Sequence, residues 1–120
     1  MVTSSNPTGK EIPQLEPSEA ARLRENGSIL LDVRTNEEFI AGHIDDVVFI
    51  TLSEIEARAQ ELDPEIPLIA LCRAGGRSQA AAELLAARGF TVSNMSGGMQ
   101  AWEAAGLDLV NSDGGPGEVI

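Results

Sequence analysis

Short apolar runs recur along the chain, and amphipathic or polar stretches separate them. Residues 28–34, Val47-Val48-Phe49-Ile50, Leu68-Ile69-Ala70-Leu71 and Phe90-Thr91-Val92 keep their apolar residues consecutive, without in–out alternation. That is the pattern of strands covered on both faces. Ile12-Pro13-Gln14-Leu15 reads as a further strand, placed at a sheet edge because proline is tolerated there. Between the strands the period changes to that of helices. One helix begins at Pro17-Ser18-Glu19, with Ser18 as N-cap and Glu19 in the first turn, and ends at Asn26-Gly27. Thr35-Asn36-Glu37-Glu38 has the spacing of a capping box and opens a short helix that stops at Ala41-Gly42. Residues 53–62 form an amphipathic helix capped by Ser53 and broken by Asp63-Pro64. A long helix runs from Ser78 to Arg88 and ends at Gly89, and a last one covers residues 99–105, including Trp102.

This alternation predicts an α/β fold: a three-layer sandwich whose central sheet of about five strands is mostly parallel, with helices on both faces. The domain spans residues 12–110. Residues 1–11 are expected as a flexible lead and 111–120 as a loose tail.

Composition adds limits. A chain of 120 residues that is 42% hydrophobic provides for one core. At 3% aromatic content, that core must be built from Leu, Ile, Val and Ala. No apolar run approaches the roughly 18 residues of a membrane span, and the N-terminal stretch lacks the apolar segment of a secretory signal. A single cysteine excludes an internal disulfide, so a cytoplasmic, reducing setting is expected. One cysteine and one histidine exclude the common zinc sites, and neither metal nor cofactor is expected. The net charge of −11 argues against nucleic acid and anionic membranes as partners.

The candidate chemistry lies in Cys72-Arg73-Ala74-Gly75-Gly76-Arg77-Ser78, where an apolar strand ends and a helix begins. Free N–H groups at a helix N-terminus converge on whatever lies inside such a loop, and Gly75 and Gly76 let the backbone curl around it. Two of the chain's eight lysines and arginines, Arg73 and Arg77, stand in this loop. They make a small positive spot on an acidic body, effective within about 8 Å at physiological salt. A thiol there should ionise well below its usual range, so Cys72 is expected to be a thiolate nucleophile in an anion cradle.

Three blocks in order and spacing resemble the single-domain rhodanese-like sulfurtransferases: residues 31–39 with Gly42-His43-Ile44, the Cys72 loop, and Ser96-Gly97-Gly98-Met99-Gln100-Ala101-Trp102 with Gly106-Leu107. The resemblance implies a rhodanese-like fold and transfer of a sulfane sulfur through a persulfide on Cys72. The donor would be a small thiosulfate-like anion, and the acceptor an external thiol, a protein sulfur acceptor, or cyanide in the assay. Arg73, Ala74, Gly75, Gly76, Arg77 and Ser78 would bind the substrate. Asp32 and Arg34 are expected as supporting buried pairs, with Glu38 as partner for Arg34. His43 is assigned to a structural turn, Trp102 to the core, and Gly97-Gly98 to a tight turn. Where the family continues Gly-His-Ile with Pro-Gly-Ala, this chain has Asp45-Asp46-Val47. Two alternatives stay open. One is a rhodanese-fold persulfide carrier or docking module. The other is a cysteine phosphatase, although arginine arrives here as Cys72-x4-Arg77, one residue sooner than in the phosphatase loop.

Overall fold

The computed structural model describes residues 11–120, so the lead expected at 1–11 lies outside the described residues apart from Glu11. Five strands, β1 (Gln14–Leu15), β2 (Ile29–Asp32), β3 (Val48–Phe49), β4 (Leu68–Leu71) and β5 (Val92–Met95), form one sheet in the order β1-β5-β4-β2-β3. Every strand pair is parallel, so the expected mostly parallel sheet is parallel throughout. The proline-bearing segment supplies the edge strand β1.

Parity along the strands divides the core. Leu30, Ile69, Leu71 and Met95 face helices α1 (Pro17–Glu25) and α5 (Gly98–Ala104), packing with Ala20, Met99 and Trp102. Leu31, Leu68, Ala70 and Val92 face α3 (Ile55–Arg58) and α4 (Gly76–Ala87), packing with Ile55, Ala59, Ala81, Ala82 and Leu85. Ala81 and Ala82 are fully buried, and such small residues let α4 lie close on the sheet. Each fully buried Leu or Ile contributes roughly 1.5–3 kcal/mol of transfer free energy. Covering both faces accounts for the unbroken apolar runs seen in the strands.

Local capping departs from expectation at two helices. α1 starts at Pro17, with Glu16 rather than Ser18 at the N-cap. Proline fixes a helical φ at the first position, and Ala20 N–H closes the first turn on Glu16 O at 2.9 Å. Residues 53–62 are not one helix. A 3₁₀ turn (Leu52–Glu54), the single α turn α3 and a second 3₁₀ turn (Ala59–Glu61) follow one another. The Thr51 hydroxyl is engaged by the Glu54 carboxylate at 2.8 Å, and Glu54 N–H bonds Thr51 O at 2.9 Å, the i→i+3 pattern of a 3₁₀ turn. By contrast, α2 (Asn36–Ala41) carries the complete capping box between Thr35 and Glu38.

Residues 111–120, expected as a loose tail, fold back over α2. Ser112 N–H bonds Ile40 O at 3.1 Å, and Glu118 N–H bonds Ala41 O at 3.0 Å. Val110 bridges both His43 and Pro116. Asn111 Oδ1 accepts from the N–H groups of Asp113 and Gly115, each at 2.9 Å, so the glycine-rich stretch is a closed turn rather than a free end. Val119 then packs on the core shared by α1 and α5.

Strand order places the site. From β2 the chain moves outward to β3, and from β4 it moves the other way to β5, so the order reverses between β2 and β4. Crevices at the carboxyl ends of parallel strands open at such a reversal. Asp32 ends β2 in register with Leu71, the residue before Cys72.

Candidate active site

Cys72 leaves the sheet at the end of β4, on the side that faces α4. Three residues later Gly75 takes φ 111°, a left-handed conformation that turns its N–H back onto the sulfur at 3.0 Å. α4 begins at the next residue and brings the Ser78 hydroxyl to 3.3 Å from Cys72 Sγ. Burial pushes the thiol up. Against it, the Ser78 hydroxyl and the N–H groups of Ser78, Gly75 and Ala74 stabilise the thiolate, and the net result lies below the ordinary thiol range. Cys72 itself is 1% exposed, while Arg73, Ala74 and Gly76 beside it are exposed.

The loop is held from behind by α5. Met99 N–H donates to Cys72 O at 2.8 Å and Gln100 N–H to Arg73 O at 3.0 Å. A Cβ on Gly98 would collide with the Cys72 carbonyl oxygen and the Arg73 carbonyl group, and Gly98 adopts φ 57°. The Gly97-Gly98 turn thus lets the end of α5 touch the backbone of Cys72 and Arg73.

The two loop arginines are committed to partners other than the sulfur. Arg77 forms a two-pronged ion pair with Glu38, Nη1–Oε1 at 2.7 Å and Nη2–Oε2 at 2.8 Å. Arg73 Nε donates to Ile120 O at 2.7 Å, and with the Gln100 carboxamide flipped to the orientation its neighbours require, its oxygen accepts from Arg73 Nη1 at 2.8 Å. Arg77 is nevertheless near enough for the Cys72 charge to help hold its proton, after the larger effect of the Glu38 hydrogen bond and against that of burial.

Asp32 and Arg34 form a fully buried pair, as expected, but the expected Arg34–Glu38 carboxylate pairing is replaced. Strand parity puts Asp32 and Arg34 on the same face, and a buried carboxylate must be matched. Arg34 Nε and Nη2 reach the two Asp32 oxygens at 2.9 and 2.7 Å, and Nη2 also donates to Gly42 O at 2.8 Å. Glu38 meets Arg34 only through its backbone carbonyl, at 3.4 Å. The pair therefore fixes α2, and α2 presents the Glu38 carboxylate to Arg77. His43 stacks on Phe39 at 3.8 Å between ring centroids and bonds Phe39 O through Nδ1 at 2.7 Å, serving the turn. Trp102 lies in the core, 4% exposed, with Nε1 donating to Asp108 O.

Sequence reasoning overlooked Asn94 and Gln14. Asn94 is 3% exposed and its Oδ1 lies 2.5 Å from Ser78 Oγ, while its Nδ2 donates to Gly75 O and to Gln14 Oε1. The last strand, expected at residues 90–92, runs instead over Val92–Met95, which carries Asn94 into the sheet, where a buried polar group requires partners.

A five-stranded parallel sheet with helices on both faces and a cysteine cradled after β4 defines a class that comparison with known proteins identifies. Residues 16–105 match the rhodanese-like domain, and the chain belongs to that family. It is 37% identical over 93 residues to the thiosulfate sulfurtransferase GlpE of Pseudomonas syringae pv. syringae, covering 77% of this chain and 88% of that protein. It is 38% identical over 74 residues to the putative sulfurtransferase YtwF of Bacillus subtilis, covering 62% of this chain and 72% of the relative. The crystal structure of a rhodanese-related protein from Thermoplasma volcanium superposes with a TM-score of 0.77 at 28% identity, over 82% of this chain and 97% of that one.

Proposed function

We propose that this protein is a sulfurtransferase that moves a sulfane sulfur from thiosulfate or a similar donor to a thiophilic acceptor through a persulfide on Cys72. The observation that carries the reading is the sulfur's setting: Gly75 N–H at 3.0 Å and Ser78 Oγ at 3.3 Å, two donors that favour the thiolate over the thiol. The relation to a thiosulfate sulfurtransferase supports it. Cys72 thiolate attacks the outer sulfur of the donor. A new Sγ–S bond forms, the donor S–S bond breaks, and its electron pair leaves with sulfite. The persulfide's terminal charge is held by N–H groups of the loop. An external thiol or cyanide then attacks the outer sulfur and Sγ departs as thiolate, giving two half-reactions and ping-pong kinetics. The chain has no second cysteine, so the acceptor comes from outside. A reducing cytoplasm suits this chemistry.

The test is thiocyanate formation from thiosulfate and cyanide, with Cys72→Ser expected to fall to the uncatalysed rate. Turnover by that variant at the parent rate rules the mechanism out. The pairing of Arg77 with Glu38 and of Arg73 with Ile120 and Gln100 favours a second reading, a persulfide carrier with weak affinity for free thiosulfate. Intact-mass measurement after exposure to thiosulfate separates the two: one sulfur gained with rapid turnover marks the enzyme, and one sulfur gained with negligible turnover marks the carrier. No mass gain leaves a docking module.

A further inference from the structure

The Ser78 hydroxyl carries one proton and faces three acceptors: Asn94 Oδ1 at 2.5 Å, Cys72 Sγ at 3.3 Å and Gly75 O at 3.3 Å. Ser78 is fully buried and Asn94 nearly so, which keeps bulk water out of the competition. The orientation of the Asn94 carboxamide is fixed by its other contacts. Nδ2 donates to Gly75 O at 3.2 Å and to Gln14 Oε1 at 2.9 Å. A carbonyl oxygen only accepts, so turning the amide over would set oxygen against oxygen at Gly75. Gln14 is fixed in turn: its Nε2 donates to Ile12 O at 3.1 Å and to Gln79 Oε1 at 2.7 Å, and Gln79 Nε2 donates to Glu83 Oε2 at 3.0 Å. A relay of side chains thus runs from α4 across the sheet edge and always presents an acceptor to Ser78. The short Oγ–Oδ1 separation places the hydroxyl proton on that line, leaving an oxygen lone pair directed at the sulfur. A lone pair suits an S–H group and opposes a thiolate.

We propose that Asn94 is a positioning residue that holds the Ser78 proton off the sulfur while the sulfur is neutral and yields it when the sulfur becomes charged. In the thiol state Cys72 S–H donates to Ser78 Oγ and the Ser78 hydroxyl donates to Asn94. On ionisation the hydroxyl turns to Sγ, and Asn94 Oδ1 loses its donor. Asn94 therefore restrains ionisation, and Ser78 favours it. The consequence for catalysis rests on the sulfur-transfer reading. When the Sγ–S bond forms, the inner sulfur is neutral and the hydroxyl returns to Asn94. When the acceptor breaks that bond, the electron pair goes to Sγ and the hydroxyl turns to meet it. The Ser78 proton never leaves Oγ; only its acceptor changes.

Among the described residues, the charged groups around this rotor have partners. Arg77 is paired with Glu38 from α2, Arg73 is held by Ile120 and Gln100, Asp32 and Arg34 on β2 satisfy each other, and Glu83 on α4 closes the far end of the relay.

The experiment is the pH profile of iodoacetamide alkylation at Cys72, the chain's single cysteine, in the parent, Asn94→Ala, Ser78→Ala and the double variant. Asn94→Ala is expected to lower the midpoint by about half to one pH unit, the scale of one hydrogen bond, and Ser78→Ala to raise it. In the Ser78→Ala background the Asn94 substitution should shift nothing, because its effect travels through the hydroxyl. A raised midpoint for Asn94→Ala, or the same shift in both backgrounds, overturns the proposal. Gln14→Ala, at the exposed edge strand, removes one of the two bonds that fix the amide and should give a smaller shift of the same sign. If Asn94→Ala does not fold, the cycle is run with Gln14→Ala, and an unmoved midpoint overturns the proposal. Alkylation needs no sulfur donor, so failure of the transfer reading appears separately, as absence of the thiosulfate-dependent mass gain.

Discussion

Replacing Glu38 with glutamine tests whether the Cys72 loop is braced from α2. The carboxylate accepts from Thr35 N–H and Thr35 Oγ1, both at 3.0 Å, and pairs with both terminal nitrogens of Arg77. Glutamine keeps the length and the oxygen facing Thr35 but removes the charge facing Arg77. The Arg77 hydrogen bonds hold the Glu38 carboxyl at about 2, against an ordinary value of 4.5, despite an opposing push from burial. A group acidified by folding stabilises the native state fully above its unfolded value and loses that contribution as pH falls through its folded value. The window here runs from about 4.5 down to about 2. A depression of that size sets an upper limit of about 3.4 kcal/mol. The Arg77 side chain keeps 35% of its exposure, so solvent screening reduces the expected contribution to about 1.5–2 kcal/mol.

Urea unfolding followed by Trp102 fluorescence measures it, since this lone tryptophan is 4% exposed and changes surroundings on unfolding. At neutral pH the variant should be less stable by about 1.5–2 kcal/mol. At pH 3 the gap should shrink to about two fifths of its neutral value, because the parent's advantage is being titrated away. The remaining carboxylates titrate alike in both proteins and cancel in the difference. A gap that stays constant, or widens, between pH 7 and pH 3 refutes the bracing argument.

Three further substitutions probe the frame around the site. Asp46 holds φ 62° on an exposed turn, so Asp46→Gly should raise stability by about 0.5–1 kcal/mol, seen as a melting temperature higher by a few degrees. Gly98→Ala sets a methyl group against the Cys72 and Arg73 carbonyls, where backbone rather than a flexible side chain must yield. It should lose at least about 2 kcal/mol in urea titration, and an unchanged midpoint would show that α5 tolerates displacement from the loop. Asp32→Asn leaves the Arg34 charge buried and uncompensated, with an expected loss of about 3–5 kcal/mol in the same titration; a loss below about 1 kcal/mol contradicts the matched-pair account.

What the sequence disclosed was what neighbouring residues decide together. The capping box at Thr35 and Glu38, the glycine stops and the strand after Pro67 follow from spacing within a few positions, and the structure carries all of them. The role of Gly97-Gly98 as a turn was visible too, but not its contact with Cys72, because that contact joins residues separated by a whole helix and strand. Tail residues 111–120 misled for a related reason. Asp, Gly and Pro signal turns whether or not the turn is docked, and docking here depends on backbone pairing with α2 and His43. Gly42 makes that pairing possible: a Cβ there would strike the backbone of Glu118.

The arginines alter the physical account of the cradle most. Counted along the sequence, Arg73 and Arg77 supply two full charges beside a thiol. In space, Glu38 occupies one guanidinium, while the tail carbonyl and Gln100 occupy the other. Burial acts most strongly on Cys72 and opposes its ionisation, and hydrogen-bond donors at the sulfur or its loop, the Ser78 hydroxyl and the N–H groups of Ser78, Gly75 and Ala74, together outweigh it. Such donors are fixed by the backbone, act over a single contact and are not screened by salt as a distant charge is. On the sulfur-transfer reading proposed above, the same donors would hold an anionic sulfur donor on a chain whose net charge is −11. The long-range field would repel such a donor, so its attraction would have to be supplied at contact distance. The arginines contribute by rigidity, tying the loop to α2 on one side and to α5 and the tail on the other, so that the N–H groups keep their aim.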